Sequence, residues 1–159
     1  MSDRTSIKNA VVAQMVDEFT ASNEGTKYYT DLDKNVRGDV LYLDSIDIFP
    51  TVTIALGPER TEYHPSGFRW IHLTLYVRAY VKSEDESEEQ LEHLIADIKK
   101  FIDNFERLDY TVTNPDGTTT NKSVTQMTLM GTTTDEGLFK PLALGELNLE
   151  VRYADRNAK

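Results

Sequence analysis

The chain contains no cysteine, which excludes disulfides and thiolate sites for metals or catalysis and fits a reducing compartment. It has one tryptophan, five prolines and eight glycines in 159 residues, too few for a collagen-like or Pro/Gly-rich low-complexity chain. No apolar run approaches the roughly 20 residues that span a bilayer, so no membrane partner is expected. Met1–Ala10 also lacks the apolar region of a signal peptide. Positive charge is scarce: 17 Lys and Arg stand against 27 Asp and Glu, for a net charge of −10. That balance argues against a surface built to grip phosphates. It still allows nucleic acid to pass close by, because repulsion keeps a passage slippery.

Of the residues present, 39% are hydrophobic, enough for a globular chain. The length predicts a single domain over 1–159, with a polar tail from about residue 154. From Arg69 to Val81 the odd positions are mostly aliphatic (Ile71, Leu73, Leu75, Val77, Ala79, Val81). The even positions are Trp70, His72, Thr74, Tyr76, Arg78 and Tyr80. Alternation at period two predicts a strand with one buried face. Its other face carries the residue types enriched at protein–protein contacts.

Apolar residues at helical spacing (Ile7, Val11, Val12, Met15, Val16, Phe19) predict a first helix from about Thr5 to Ala21, stopped by Asn23–Gly25. A second helix carries the stripe Leu91, Leu94, Ile95, Ile98, Phe101, Ile102 and Phe105. Ser87 and Gln90 form a candidate capping box, and Glu84–Glu89 supplies carboxylates to the positive end of the helix dipole. Thr51–Leu56 reads as a strand ending at Gly57-Pro58, and the residues up to Phe68 as a turn-rich loop or protruding hairpin. Tyr110–Thr113 and Ser123–Met130 read as strands around the turn Asn114-Pro115-Asp116-Gly117. Gly131–Gly137 reads as a threonine-rich loop, and Leu147–Tyr153 as a closing strand. Thr26–Pro50 is long for a structureless connection and predicts short strands or an arm gripping a neighbour. The economical packing is α+β, a mainly antiparallel sheet with two amphipathic helices on one face plus a β-hairpin.

Catalytic motifs are missing. His64, His72 and His93 have no partner at the spacing of H-E-x-x-H, and no P-loop, G-x-G-x-x-G or G-x-S-x-G occurs. No catalytic, cofactor-binding or metal residue is therefore expected, and no cofactor. Asp31-Leu32-Asp33-Lys34-Asn35 opens like an EF-hand loop, but Val36 and Tyr42 stand where Gly and a bidentate Glu are needed. Arg37-Gly38-Asp39 and the sequon Asn121-Lys122-Ser123 are short enough to arise by chance and have no secretory route here.

The order of helix, strand, long strand, acidic-start helix and hairpin resembles the tail terminator (tail completion) proteins of long-tailed bacteriophages. The segment Thr134-Asp135-Glu136-Gly137-Leu138-Phe139-Lys140-Pro141-Leu142-Ala143, followed by Leu147–Tyr153, is similar to that family's ending. The likeness covers roughly residues 5–153.

The resemblance implies a structural virion protein and no enzyme. Such a protein caps the finished tail tube as a homo-hexameric ring, stops tube polymerisation and provides the head-docking surface. Its partners would be copies of itself, the tail tube protein and a head-completion or connector protein, with DNA passing through unbound. The implied place is the head-proximal end of the virion tail, after assembly in the host cytoplasm.

On that reading Trp70, His72, Tyr76, Arg78 and Tyr80 are candidates for the subunit interface. Glu59, Arg60, Glu62, Tyr63 and His64, with Asn114, Asp116 and Lys122, are candidates for axial docking loops. Asp44, Asp47, Glu84, Asp85 and Glu86 are candidates for the lumen. Three alternatives have discriminating observations. Another head-tail connector or a tail-tube subunit could share this α+β pattern, and a tube subunit would polymerise without closing. A carboxylate-dependent hydrolase would show a pocket of convergent carboxylates with perturbed pKa values. A peptide-binding module would leave the aromatic face without a copy of itself.

Overall fold

A computed structural model describes residues 2–20, 23–32, 35–39, 43–105 and 107–156. Helix α1 spans Asp3–Glu18 and is capped by Ser2, whose hydroxyl accepts from the Thr5 N–H. It ends earlier than the apolar spacing predicts, and Ala21 lies outside the described residues. The helix stops at Glu18 and not at Asn23–Gly25; Asn23 contributes only through its side chain, whose Nδ2 donates to the Glu18 carbonyl at 2.7 Å and satisfies a helix-end acceptor.

A five-stranded sheet forms the body. In chain order its strands are β1 (Val36–Arg37), β2 (Thr51–Tyr63), β3 (Phe68–Lys82), β6 (Gln126–Thr134) and β7 (Leu142–Arg156). Across the sheet the order is β1-β2-β3-β7-β6, antiparallel except for the short parallel pairing of β1 with β2. Strands β4 (Asp109–Thr113) and β5 (Thr119–Ser123) form a separate hairpin. The fold is α+β. At about 3.3 Å per residue, the 15 residues of β3 give the sheet a length of roughly 45–50 Å.

Each odd-numbered residue of β3 from Ile71 to Val81 is buried, together with Leu147, Leu149 and Val151 of β7. Both helices close this face, α1 over β2 and β1, and α2 (Ser87–Asn104) over β3, β7 and β6. All seven apolar residues of the predicted α2 stripe contribute to the core, Phe105 only partly buried. The capping box does not form, because Ser87 is already the first helical residue and Glu86 takes the cap position. Instead the Ser83 hydroxyl accepts from the Glu86 N–H.

Four boundaries differ from those read off the sequence. Strand β2 does not stop at Gly57-Pro58, since both residues are absorbed as a bulge opposite Thr74 and pairing resumes at Glu59↔Leu73. Gly57 is required there, because a Cβ would lie 2.8 Å from the Tyr76 ring and 2.9 Å from the Thr74 carbonyl. The predicted loop after Leu56 is thus mostly paired strand, and the turn shrinks to His64–Gly67. The β4–β5 hairpin returns through Thr119–Ser123, while Gln126–Thr134 crosses to the main sheet. Thr132, Thr133 and Thr134 are therefore strand residues paired with Leu147, Glu146 and Gly145, and no loop begins at Gly131. The closing strand starts earlier, at Leu142, and runs on to Arg156, three residues past Tyr153, while 157–159 lie outside the described residues.

The segment after α1 grips its own subunit. Tyr28, Leu32, Val36 and Ile46 are buried, and Lys8 Nζ donates to the Gly38 carbonyl at 2.9 Å. Its main lock is Asp97, a buried carboxylate on α2 whose two oxygens accept from the N–H groups of Tyr29 and Thr30, each at 2.9 Å. The EF-hand-like stretch falls partly on Asp33 and Lys34, and Tyr42 too lies outside the described residues.

Three buried tyrosines set the alkaline limit of the fold. Burial pushes Tyr28 up to about 12, aided by its hydrogen bond to Glu18, and raises Tyr110 and Tyr153 further. Tyr110 also donates to Asp3 and Tyr153 to Glu59. Below pH 10 these groups are protonated in both states. Above it the unfolded chain releases protons that the folded chain retains, so stability falls as pH rises from about 10 towards 12 and beyond. Denaturant melts between pH 8 and 11.5 are expected to be flat to about pH 10 and then to decline. Tyrosinate absorbance of Tyr110 and Tyr153 should appear only with unfolding.

Candidate assembly interface

The even-numbered residues of β3 point away from the helices. Trp70, His72, Thr74, Tyr76, Arg78 and Tyr80 are all half-buried, as are Glu146, Asn148, Glu150 and Arg152, which face them from β7. The partial burial comes from side chains of the same face leaning on one another. Arg78 Nε donates to Glu146 Oε2 at 2.8 Å, and its guanidinium lies 5.3 Å from the Tyr76 ring. His72 Nδ1 sits 2.7 Å from Glu150 Oε1, with Arg60 of β2 3.8 Å from the same oxygen. The Arg152 guanidinium stacks 4.2 Å from the centre of the Trp70 ring. The five candidate interface residues therefore share one continuous face, knitted to β7 by charge pairs. Buried polar atoms remain there without a hydrogen-bond partner: His72 Nε2 and Asn148 Oδ1.

The docking candidates separate. Glu62, Tyr63 and His64 stand at the β2–β3 tip, where Tyr63 is 75% exposed, and the adjacent His64 holds the Glu62 carboxyl below its usual range. Glu59 does not belong to that tip: it faces the helix side, accepting from Tyr153 and pairing with Arg4. Arg60 lies on the even face. Asn114 and Asp116 do form a hairpin tip, and the hydroxyl and N–H of Thr118 hold the Asp116 carboxyl below its usual range. Lys122 lies off the tip, in β5, where it bonds Asp3 of α1 at 3.0 Å.

The lumen candidates fall in two acidic segments. All five are exposed: Asp44 and Asp47 precede the start of β2, and Glu84, Asp85 and Glu86 follow the end of β3, at the end of the sheet opposite the β2–β3 tip. A cleft of about 520 Å³ opens beside them between the start of α2 and the β6–β7 loop, lined by Glu88, Asp135, Glu136 and Lys140 among others. Among the described residues no three His, Asp or Glu are placed to hold a metal ion, and no helix is long and apolar enough to cross a membrane.

A family model described as "Bacteriophage Tail Tube Terminator Protein" matches residues 1–159. This chain belongs to the tail tube terminator family. The tail tube terminator protein p142 of Escherichia phage T5 is 39% identical over 153 residues, covering 96% of this chain and 94% of that protein. A chain from the virion of a native gene transfer agent particle shares the fold, with a TM-score of 0.54 at 11% identity, over 95% of this chain and 96% of that one. Members of the family are structural tail proteins and not enzymes, so the scarcity of catalytic constellations has a positive counterpart.

Three features of this terminator escape sequence reasoning. Glu146, Glu150 and Arg152 went unassigned, although their alternation in Glu146–Arg152 mirrors that of β3 and was the available signal. Asp97 has no local signal, because its partners lie 67 and 68 residues away. The third is β6 as an outer strand.

Proposed function

We propose that this terminator closes as a homo-hexameric ring on the end of the tail tube, stops tube growth and presents the surface to which the head docks. The observation that carries the reading is the even face of the sheet. A row of aromatic and charged side chains is left half-buried on a sheet whose other face is fully packed, and a head-to-tail ring requires a surface of this kind. The Tyr63–His64 tip and the Asn114–Asp116 tip serve as contacts with the tail tube protein and with a head-completion or connector protein. The acidic end, with Asp44, Asp47, Glu84, Asp85 and Glu86, faces the DNA passage, where Lys or Arg would hold phosphates. The ring sits at the head-proximal end of the tail and assembles in the host cytoplasm.

Light scattering on the purified chain, then negative-stain microscopy with terminator-free tail tubes, tests the reading. The wild type is expected to cap tube ends as a closed ring. Arg78→Glu sets two carboxylates against each other at Glu146 and abolishes capping. The swap Arg78→Glu with Glu146→Arg restores the internal pair and the melting temperature, but not capping, because the charge offered to the neighbour is inverted. The pair is about one-third exposed, so the stability change is expected to stay near 1 kcal/mol or less. Wild-type capping by Arg78→Glu removes this face from the interface.

A further inference from the structure

The two edges of the sheet are treated differently. Strand β2 forms one edge, since β1 covers it only at Val52 and Thr53. Beyond them it is blunted by the bulge at Gly57-Pro58, by the charges of Glu59, Arg60 and Glu62, and by the Arg4 guanidinium, which donates to the Gly57 carbonyl at 2.8 Å. Those are the devices that keep an edge from pairing with another chain. Strand β6 forms the other edge and carries none of the charges or prolines. Its sequence, Gln-Met-Thr-Leu-Met-Gly-Thr-Thr-Thr, contains no charged residue in a chain where 28% are charged. Most of it is exposed, Met130 by 62%, and only the bulge at Met130 interrupts it. Pairing with β7 uses one side of β6, so alternate N–H and C=O groups point outward from the sheet.

We infer that the free edge of β6 pairs with a strand of a neighbouring copy of this chain, extending the sheet from one subunit to the next. The inference rests on the ring proposed above. Charge selects the occupant: copies that each carry −10 repel, and they meet at least cost along the stretch that carries no charge. A cationic partner would instead be drawn to the acidic end. The chain also supplies a matching strand. Strand β5, Thr119-Thr120-Asn121-Lys122-Ser123, is the exposed arm of a two-stranded hairpin whose other strand packs on α1, which leaves β5 as an edge strand. Its single charge, Lys122, is engaged by Asp3 of the same subunit. Pairing β6 of one copy with β5 of the next joins two different patches, as a closing ring requires. It also places threonine against threonine across the junction. The contact is continuous with the even face, since Thr128 and Thr133 lie opposite Glu150 and Glu146 of β7.

The test compares the full chain with Thr128→Lys/Thr133→Lys, two exposed positions on that edge, by sedimentation velocity and hydrogen exchange, alone and on terminator-free tail tubes. The wild type is expected to gain at least tenfold protection along β6 when it assembles. The double-lysine chain should melt as the wild type does and self-associate at least tenfold more weakly. A wild-type ring whose β6 amides exchange as fast as in the monomer overturns the inference and leaves the terminator reading standing. Equal assembly by the variant does the same. Protection of β6 on tubes by a chain that stays monomeric assigns the edge to the tube protein and overturns the second-copy occupant. A chain that neither assembles nor caps overturns both proposals. Should the variant melt lower, the wild-type exchange measurement decides alone.

Discussion

Asp97→Ala is expected to loosen the segment that follows α1 and to cost on the order of 3 kcal/mol, because two backbone donors lose their acceptors at once. Each buried N–H left unpaired costs about 1–3 kcal/mol, and the sites of Tyr29 and Thr30 are partly open, so water recovers some of that loss. Asp97→Asn keeps one acceptor and turns an amide donor towards the second N–H, so its cost falls between wild type and alanine. Hydrogen exchange should show the change as local opening of residues 27–32 ahead of global unfolding. A denaturant midpoint within error of wild type, with unchanged exchange there, would show that the segment is held by its apolar residues alone.

The second large effect belongs to Phe101→Ala, at about 3–5 kcal/mol from lost burial plus the cavity left behind. Phe101 is fully buried in a line of rings that joins three parts of the chain. Its centroid lies 6.0 Å from Phe19 at the end of α1 and 4.9 Å from Phe105, while the Phe19 ring lies 4.6 Å from that of Tyr28, tilted by 43°. Deleting the central ring therefore unseats α2 from α1 and from the segment that Asp97 holds. Because the two residues secure the same contact, the double variant is expected to be less destabilised than the sum of the singles. Chemical denaturation of all four chains reads this directly. An additive result would separate the two locks.

The sheet and its helices were legible where local pattern and tertiary role coincide. Strand β3 alternates without a break from Arg69 to Val81, and α2 presents one apolar stripe, so each signal survives whatever the neighbours do. Legibility failed where a partner distant in sequence overrides local chemistry. Gly57-Pro58 looks like a stop, yet the ladder with β3 closes over both residues, with the Tyr76 ring against the glycine. Thr132–Thr134 looks like a loop because an outer strand with most of its length in solvent has little reason to alternate. The interface candidates of β3 could be named from one strand, but their internal partners Glu146 and Glu150 depend on β7 being next to β3. Lys122 reads as a tip residue because Ser123–Met130 has the look of the hairpin's return arm, whereas the return is β5, which contains it. Glu59 was misplaced because a bulge shifts which face each later residue of β2 presents.

The separation of the acidic end from the β2–β3 tip by the length of the sheet has an electrical consequence. Copies standing the same way up in the proposed ring crowd their carboxylates onto a common rim, so each added copy works against the charge already collected there. Dissolved salt, which shortens the reach of such repulsion to about 8 Å at 0.15 M, relieves that crowding. At this rim rising ionic strength thus favours closure of the proposed ring, while it weakens the charged contacts that the even face offers to a neighbour. In the proposed ring, the salt around the growing tail then acts on this rim separately from the contacts between copies.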